Sequence, residues 1–141
     1  MKLQHYLNFP GNNEAAFNFY QAAFGGEIAL IRFKDMPMEG FALPPEAEDK
    51  IMHISLPIGD GSLLMASDSL ESMGQALVKG NNTHVFVEVD SKEEADRLFA
   101  ALSAGGVVEM PMADQPWGDY YGNFHDKYGI GWMLAFNNQA G

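Results

Sequence analysis

The sequence predicts an α+β fold built from two successive modules, each running strand, helix, strand, strand, strand. Three features carry that prediction. Two helical stretches each end in a Gly-Gly pair, Gly25-Gly26 and Gly105-Gly106, and short strand-like runs flank both. His5 and His84 stand 79 residues apart (84 − 5), and the same offset relates the helix caps Asn12 and Ser91. Gly61 and Gly129 each precede the last strand of a half, and each is followed four residues later by a methionine, Met65 and Met133.

The elements follow in order. Leu3 to Phe9 reads as the first strand, and Asn12 or Asn13 then caps a helix whose Phe17, Tyr20 and Phe24 recur at helical spacing. Gly25 and Gly26 supply the left-handed conformation that ends it. Ile28 to Phe33, Ile51 to Leu56 and Ser62 to Ser67 complete the first module as strands. In the second module Thr83 to Val89 is a strand, and Ser91 opens a helix with Glu94 in the capping-box position. Ala95, Leu98, Phe99 and Leu102 form its buried stripe, and Gly105-Gly106 stops it. Val107 to Met110, Tyr120 to His125 and Gly131 to Phe136 are the remaining strands. The whole reads as a single domain, 1–141, with modules at about 1–68 and 82–137 joined by a connector.

Two connections lie outside this pattern. Lys34 to Lys50 is long, irregular and proline-rich; its Met36, Met38, Phe41 and Leu43 suit a lid or a subunit contact, and disorder is the plain alternative for residues 35–49. Ser69 to Asn82 joins the modules, with Leu70, Met73, Leu77 and Val78 as expected anchors.

Composition excludes several function classes. Eight basic against nineteen acidic residues give a net charge of −11, whose field repels nucleic acid and anionic membrane surfaces. With no cysteine there is no disulfide framework, thiolate zinc site or cysteine nucleophile. The opening MKLQHYLNFPGNN meets proline and glycine too early for a signal peptide, so a soluble cytoplasmic protein is expected.

The motifs FNFYQAAFGGE, IMHISLPIGDGSLLMASDS and PWGDYYGNFHDKYGIGW, set in this tandem order, resemble the vicinal oxygen chelate superfamily, the glyoxalase, bleomycin resistance and dioxygenase proteins, and within it the PhnB-like branch. The resemblance spans nearly the full length. It implies a glyoxalase-like fold in which paired βαβββ modules curl their sheets into an open cup, and it implies a homodimer. It also implies that metal-using members hold the ion with His or Gln on the first strand and Glu on the last strand of each module. Carried onto this chain, the first-strand positions are His5 and His84, the candidate metal residues, and the last-strand positions are Met65 and Met133. A soft, neutral thioether replaces the hard carboxylate that an open catalytic zinc, nickel, manganese or iron site draws on. No cofactor is therefore expected, the alternative being a divalent transition metal.

Strand alternation puts His84, Phe86 and Glu88 on one face, opposite Val85, Val87 and Val89. His84 and Glu88 are the candidate catalytic pair, an imidazole and a carboxylate able to exchange a proton. His5, Met65, Phe86, Trp117, Tyr121 and Met133 are the candidate pocket lining, since methionine and aromatic side chains suit an organic guest. For each histidine a hydrogen-bonded structural role competes with function. His53, between isoleucines and a methionine, reads as packing, and His125 stands beside the turn at Asp126, whose aspartate and glycine suit a type I turn.

Three functions are open on these residues. The first is a protein that binds a small organic molecule without a family-type catalytic metal. The second is a divergent metal-dependent lyase, isomerase or dioxygenase acting on a vicinal-oxygen substrate. The third is a noncatalytic scaffold.

Overall fold

The computed structural model describes residues 1–37 and 39–138. The chain divides into two compact units, Met1–Val78 and Lys79–Gly141. The first contains β1 (His5–Phe9), α1 (Asn13–Phe24), β2 (Ala29–Arg32), β3 (Ile51–Ile58) and β4 (Ser62–Asp68). The second repeats the order with β5 (Val85–Glu88), α2 (Lys92–Ser103), β6 (Val107–Asp114), β7 (Asp119–His125) and β8 (Gly131–Asn137). The expected α+β tandem βαβββ pattern is thus present, and each unit carries one mixed four-stranded sheet.

Strand order is β1-β4-β3-β2 in one sheet and β5-β8-β7-β6 in the other. In both, the last three strands form an antiparallel meander and the first strand pairs parallel with the last. Parallel neighbours need a crossover, which begins with the helix. One face of each sheet is covered by that helix. In the first unit Leu7, Phe9, Ile54, Leu56, Leu64 and Ala66 are buried together with Ala16, Phe17, Tyr20 and Ala23 of α1. Phe17 meets Phe9 and Tyr20 edge to face, and removing a ring of this size from water contributes roughly 2 to 3 kcal/mol. In the second unit Val85, Phe124, Trp132 and Leu134 are buried with Ala95, Leu98 and Leu102 of α2.

The two helices begin by different devices. Ser91 accepts the Glu94 amide at 3.1 Å as expected, but the Glu94 carboxylate turns to Arg97 at 2.6 Å instead of closing the capping box. Asn12 makes no side-chain cap. Its place is taken by Asp68, at the end of β4, which is 2 % exposed. Asp68 Oδ1 accepts the amides of Gly11 and Asn13 at 3.1 and 3.0 Å, and Oδ2 accepts that of Ile51 at 2.9 Å. Burial pushes the Asp68 carboxyl above its ordinary value, against the opposing pull of the Ile51, Asn13 and Gly11 amides and of Lys50. Asp126 plays a comparable part between β7 and β8, accepting from the Tyr128 and Ile130 amides and from Trp132 Nε1 at 2.8, 3.0 and 2.9 Å, which bears out its reading as a turn residue.

The repeat register needs a correction. Ladder partners place Tyr6 beside Met65 and Phe86 beside Met133, so Tyr6 corresponds to Phe86 and Gln4 to His84. His5 corresponds instead to Val85. The reason is that Phe9 corresponds in this register to Val89, and Pro10, Gly11 and Asn12 separate Phe9 from α1, whereas only Asp90 and Ser91 separate Val89 from α2. A one-residue slip exchanges the faces of a strand.

The irregular stretch is tied down at its ends. Phe33 and Lys34 donate their amides to the carbonyls of Lys50 and Glu48, each at 3.1 Å, and Arg32 bridges Glu14 and the Asp49 carbonyl, each at 2.7 Å. Short 3₁₀ turns occupy Phe33–Asp35 and Pro45–Ala47, and Ala47 is fully buried. Met36 and Phe41 are exposed, while Met38 lies outside the described residues, as do the last three of the expected domain span. In the connector Leu70 is buried and Val78 is 89 % exposed, so the anchor is at its first end.

Tyr120 fastens β7 to α2 by donating to Asp96 Oδ1 at 2.6 Å. The hydrogen bond to that carboxylate, with smaller contributions from desolvation and the Asp96 charge, pushes the phenol pKa up to about 12. Folding raises this pKa, so the stability it supplies is complete below the ordinary tyrosine value and is lost as pH rises through about 12. An ultraviolet titration should show one of the five tyrosines ionising near 12, and Asp96→Asn should bring it back toward 10. No late-titrating tyrosine in the wild type would contradict the bond.

Candidate functional site

Apart from His5, the strand-borne functional candidates lie on the sheet faces that the helices leave uncovered. In the second unit Val85 is buried and Val87 shares its face of β5, so His84, Phe86 and Glu88 point the other way, as alternation requires. Phe86, Met133 and Asn123 are successive ladder partners across β5, β8 and β7, and therefore form one row of that face. Glu88, Ala135 and Tyr121 form the next. Phe86 is 54 % exposed and Met133 half-buried.

Trp117, 61 % exposed on the turn before β7, stacks edge to face on Tyr121 with centroids 5.8 Å apart, and its Nε1 donates to Asp119 at 3.1 Å. Asn123 Nδ2 donates to the Tyr121 hydroxyl at 2.9 Å, which leaves that hydroxyl's own proton free to donate. Asn123 Oδ1 is shielded from solvent and accepts no hydrogen bond. An unsatisfied acceptor of this kind costs about 1 to 3 kcal/mol.

At the end of this face three titratable groups converge. His84 and His125 pack edge to face with centroids 5.3 Å apart, and His125 Nδ1 is joined to Glu109 by a short contact. One donor atom from each of His84, Glu109 and His125 lies within 4.8 Å of the other two. Glu88, expected as the partner of His84, is not in this group; the carboxylate that arrives is Glu109. Sequence reading passed over Glu109 because it is the extra residue of a bulge: Val108 pairs with Phe124 and Met110 with Asn123, leaving Glu109 between them. Bulges re-aim side chains next to sites of this kind. His125, set aside in the sequence as a neighbour of a turn, is the central member.

In the first unit the uncovered face carries Met65 with its ladder partners Tyr6 and Ser55. Tyr6 Oη and His53 Nδ1 are 3.2 Å apart, so His53 makes a polar aromatic contact on this face instead of packing among its neighbours. His5 alternates with buried Leu7 and Phe9 and so turns toward the helix side, opposite to Met65. The first-strand residue in register with His84 is Gln4, whose Oε1 accepts the Leu63 amide at 3.2 Å.

This donor set does not fit the metal that the resemblance implies. Gln4 and His84 are of the residue types that such sites use on their first strands, but the last strands present Met65 and Met133, whose thioethers bring neither charge nor a hard oxygen.

Comparison with known proteins agrees with the fold. A family model described as Glyoxalase/Bleomycin resistance protein/Dioxygenase superfamily matches residues 2–134. The chain is 32 % identical to protein YjdN of Escherichia coli over 145 aligned positions, covering 95 % of this chain and 94 % of that one. Among solved structures, protein PA1353 of Pseudomonas aeruginosa is 36 % identical with a TM-score of 0.85, covering 97 % of this chain and 98 % of its own. The PhnB protein of Bacillus cereus is 26 % identical with a TM-score of 0.70, over 96 % and 99 %. The chain belongs to the glyoxalase, bleomycin resistance and dioxygenase superfamily, on its PhnB-like branch.

Proposed function

We propose that this protein binds a small organic molecule and does so without a catalytic metal of the family type. The observation that carries the reading is the pair Met65 and Met133, standing on the uncovered sheet faces where a metal-using member would present carboxylates. Methionine is flexible and polarizable and adapts to an apolar guest. Around Met133 the face adds Phe86, Tyr121 and Trp117, with the Tyr121 hydroxyl as a donor. Mostly apolar walls with a few fixed polar groups are what small-molecule sites share. The guest this chemistry suits is an aromatic or amphipathic compound carrying an acceptor for the Tyr121 hydroxyl.

A thermal-shift panel of such compounds tests it. A ligand present at 100 times its Kd stabilises the folded state by about 2.7 kcal/mol, a rise in Tm of several degrees. Tyr121→Ala and Met133→Ala should each reduce the shift. A flat response across a chemically broad panel would favour the scaffold reading.

A further inference from the structure

We infer that His84, Glu109 and His125 form a binding site for one divalent transition-metal ion of the zinc, cobalt or nickel class. The site stands apart from the organic-guest reading and uses a donor set confined to the second unit.

Geometry is the first support. Three donors from three different strand ends or bends reach one point: His84 at the entry to β5, Glu109 from the β6 bulge and His125 at the end of β7. Their mutual separations are at most 4.8 Å. Metal–ligand distances of about 2.0 to 2.2 Å in a tetrahedral shell bring donors to roughly 3.3 to 3.6 Å of one another. Side-chain rotation covers that difference, because all three are at least partly exposed: His125 and Glu109 side chains are 22 % and 45 % accessible, and His84 is half-buried.

The backbone supplies a second, independent support. Gly131 is the β8 ladder partner of His125, and a Cβ there would stand 2.8 Å from His84 Cδ2 and 3.1 Å from His125 Nε2. The two imidazoles therefore share a space that exists only because this position has no side chain. A salt bridge between Glu109 and His125 would not need His84.

Donor chemistry selects the class of ion. Two imidazoles and one carboxylate match borderline cations that keep an open coordination position, whereas calcium and magnesium prefer all-oxygen shells. On binding, the cation stands between Glu109 and His125 in place of their direct contact. The net charge of −11 raises the local concentration of cations around the whole chain.

The test uses the full chain purified without an affinity tag, titrated with Zn²⁺ by calorimetry and with Co²⁺ by visible absorption. One equivalent should bind, with the cobalt bands of a four- or five-coordinate nitrogen and oxygen site. His84→Asn, Glu109→Gln and His125→Asn should each weaken binding roughly 10- to 100-fold or more, while His53→Asn, in the first unit, leaves it unchanged. Glu109→Gln removes one exposed charge at constant shape and guards against a variant that fails to fold. In the wild type, Zn²⁺ should shift the imidazole signals of His84 and His125 and leave those of His5 and His53 in place. Absence of stoichiometric binding at millimolar metal, or binding that survives His84→Asn at full strength, would overturn the site.

Discussion

Replacing Asp68 with alanine is expected to cost about 3 to 5 kcal/mol and to lower Tm by on the order of 10 °C. The carboxylate is 2 % exposed and serves three backbone amides, those of Gly11, Asn13 and Ile51. Each amide left unpaired and shielded from water costs about 1 to 3 kcal/mol, though such costs do not add fully. The three amides sit before α1, at its first residue and at the start of β3, so the loss loosens the helix, the entry to β3 and the end of β4 together. Asp68→Asn should be milder, about 1 to 2 kcal/mol, since one oxygen still accepts while the new amide nitrogen faces a donor. Denaturant melts of the two variants decide it. A loss below about 1 kcal/mol for Asp68→Ala would show that water replaces the carboxylate and that the cap is unimportant.

The second large effect is expected at Gly106. A methyl group there would overlap the His125 carbonyl oxygen and stand 2.9 Å from both Cα and C of Asp126. These are backbone atoms, and Asp126 is itself fixed by three hydrogen bonds, so nothing nearby can give way. Gly106→Ala should cost about 3 kcal/mol. Its neighbour provides the contrast. Gly105 has φ of +78° but would place its methyl no closer than 3.4 Å to the Lys127 side chain, so Gly105→Ala should cost only the left-handed strain, about 1 to 2 kcal/mol. Equal losses at the two positions would refute the steric account.

The pair of glycines shows what was legible in the sequence and what was not. Gly105-Gly106 marked the end of α2 correctly, but the sequence gives both residues the same role, a helix stop. Only Gly105 uses a left-handed conformation; Gly106 is required by the close approach of the β7–β8 corner, which is a tertiary fact. The same distinction runs through the molecule. Strands, helices and the Ser91 cap follow from periodicity and local hydrogen bonding. The cap of α1 does not, because its acceptor comes from Asp68, far along the chain. On the site, alternation placed His84, Phe86 and Glu88 on one face. It missed Glu109 because a bulge breaks the period on which alternation depends, and it paired His5 with His84 because the extra residue before α1 is invisible until the ladders are drawn.

That extra residue has a wider implication. Pro10, Gly11 and Asn12 do in the first half what Asp90 and Ser91 do in the second. Lengthening or shortening such a bend while the helix stays seated trades an entire row of side chains between the interior and the exposed face. For a duplicated module, one insertion or deletion in a bend therefore changes what the surface offers a visitor more abruptly than any single substitution does, provided the newly inward row is apolar enough to stay there.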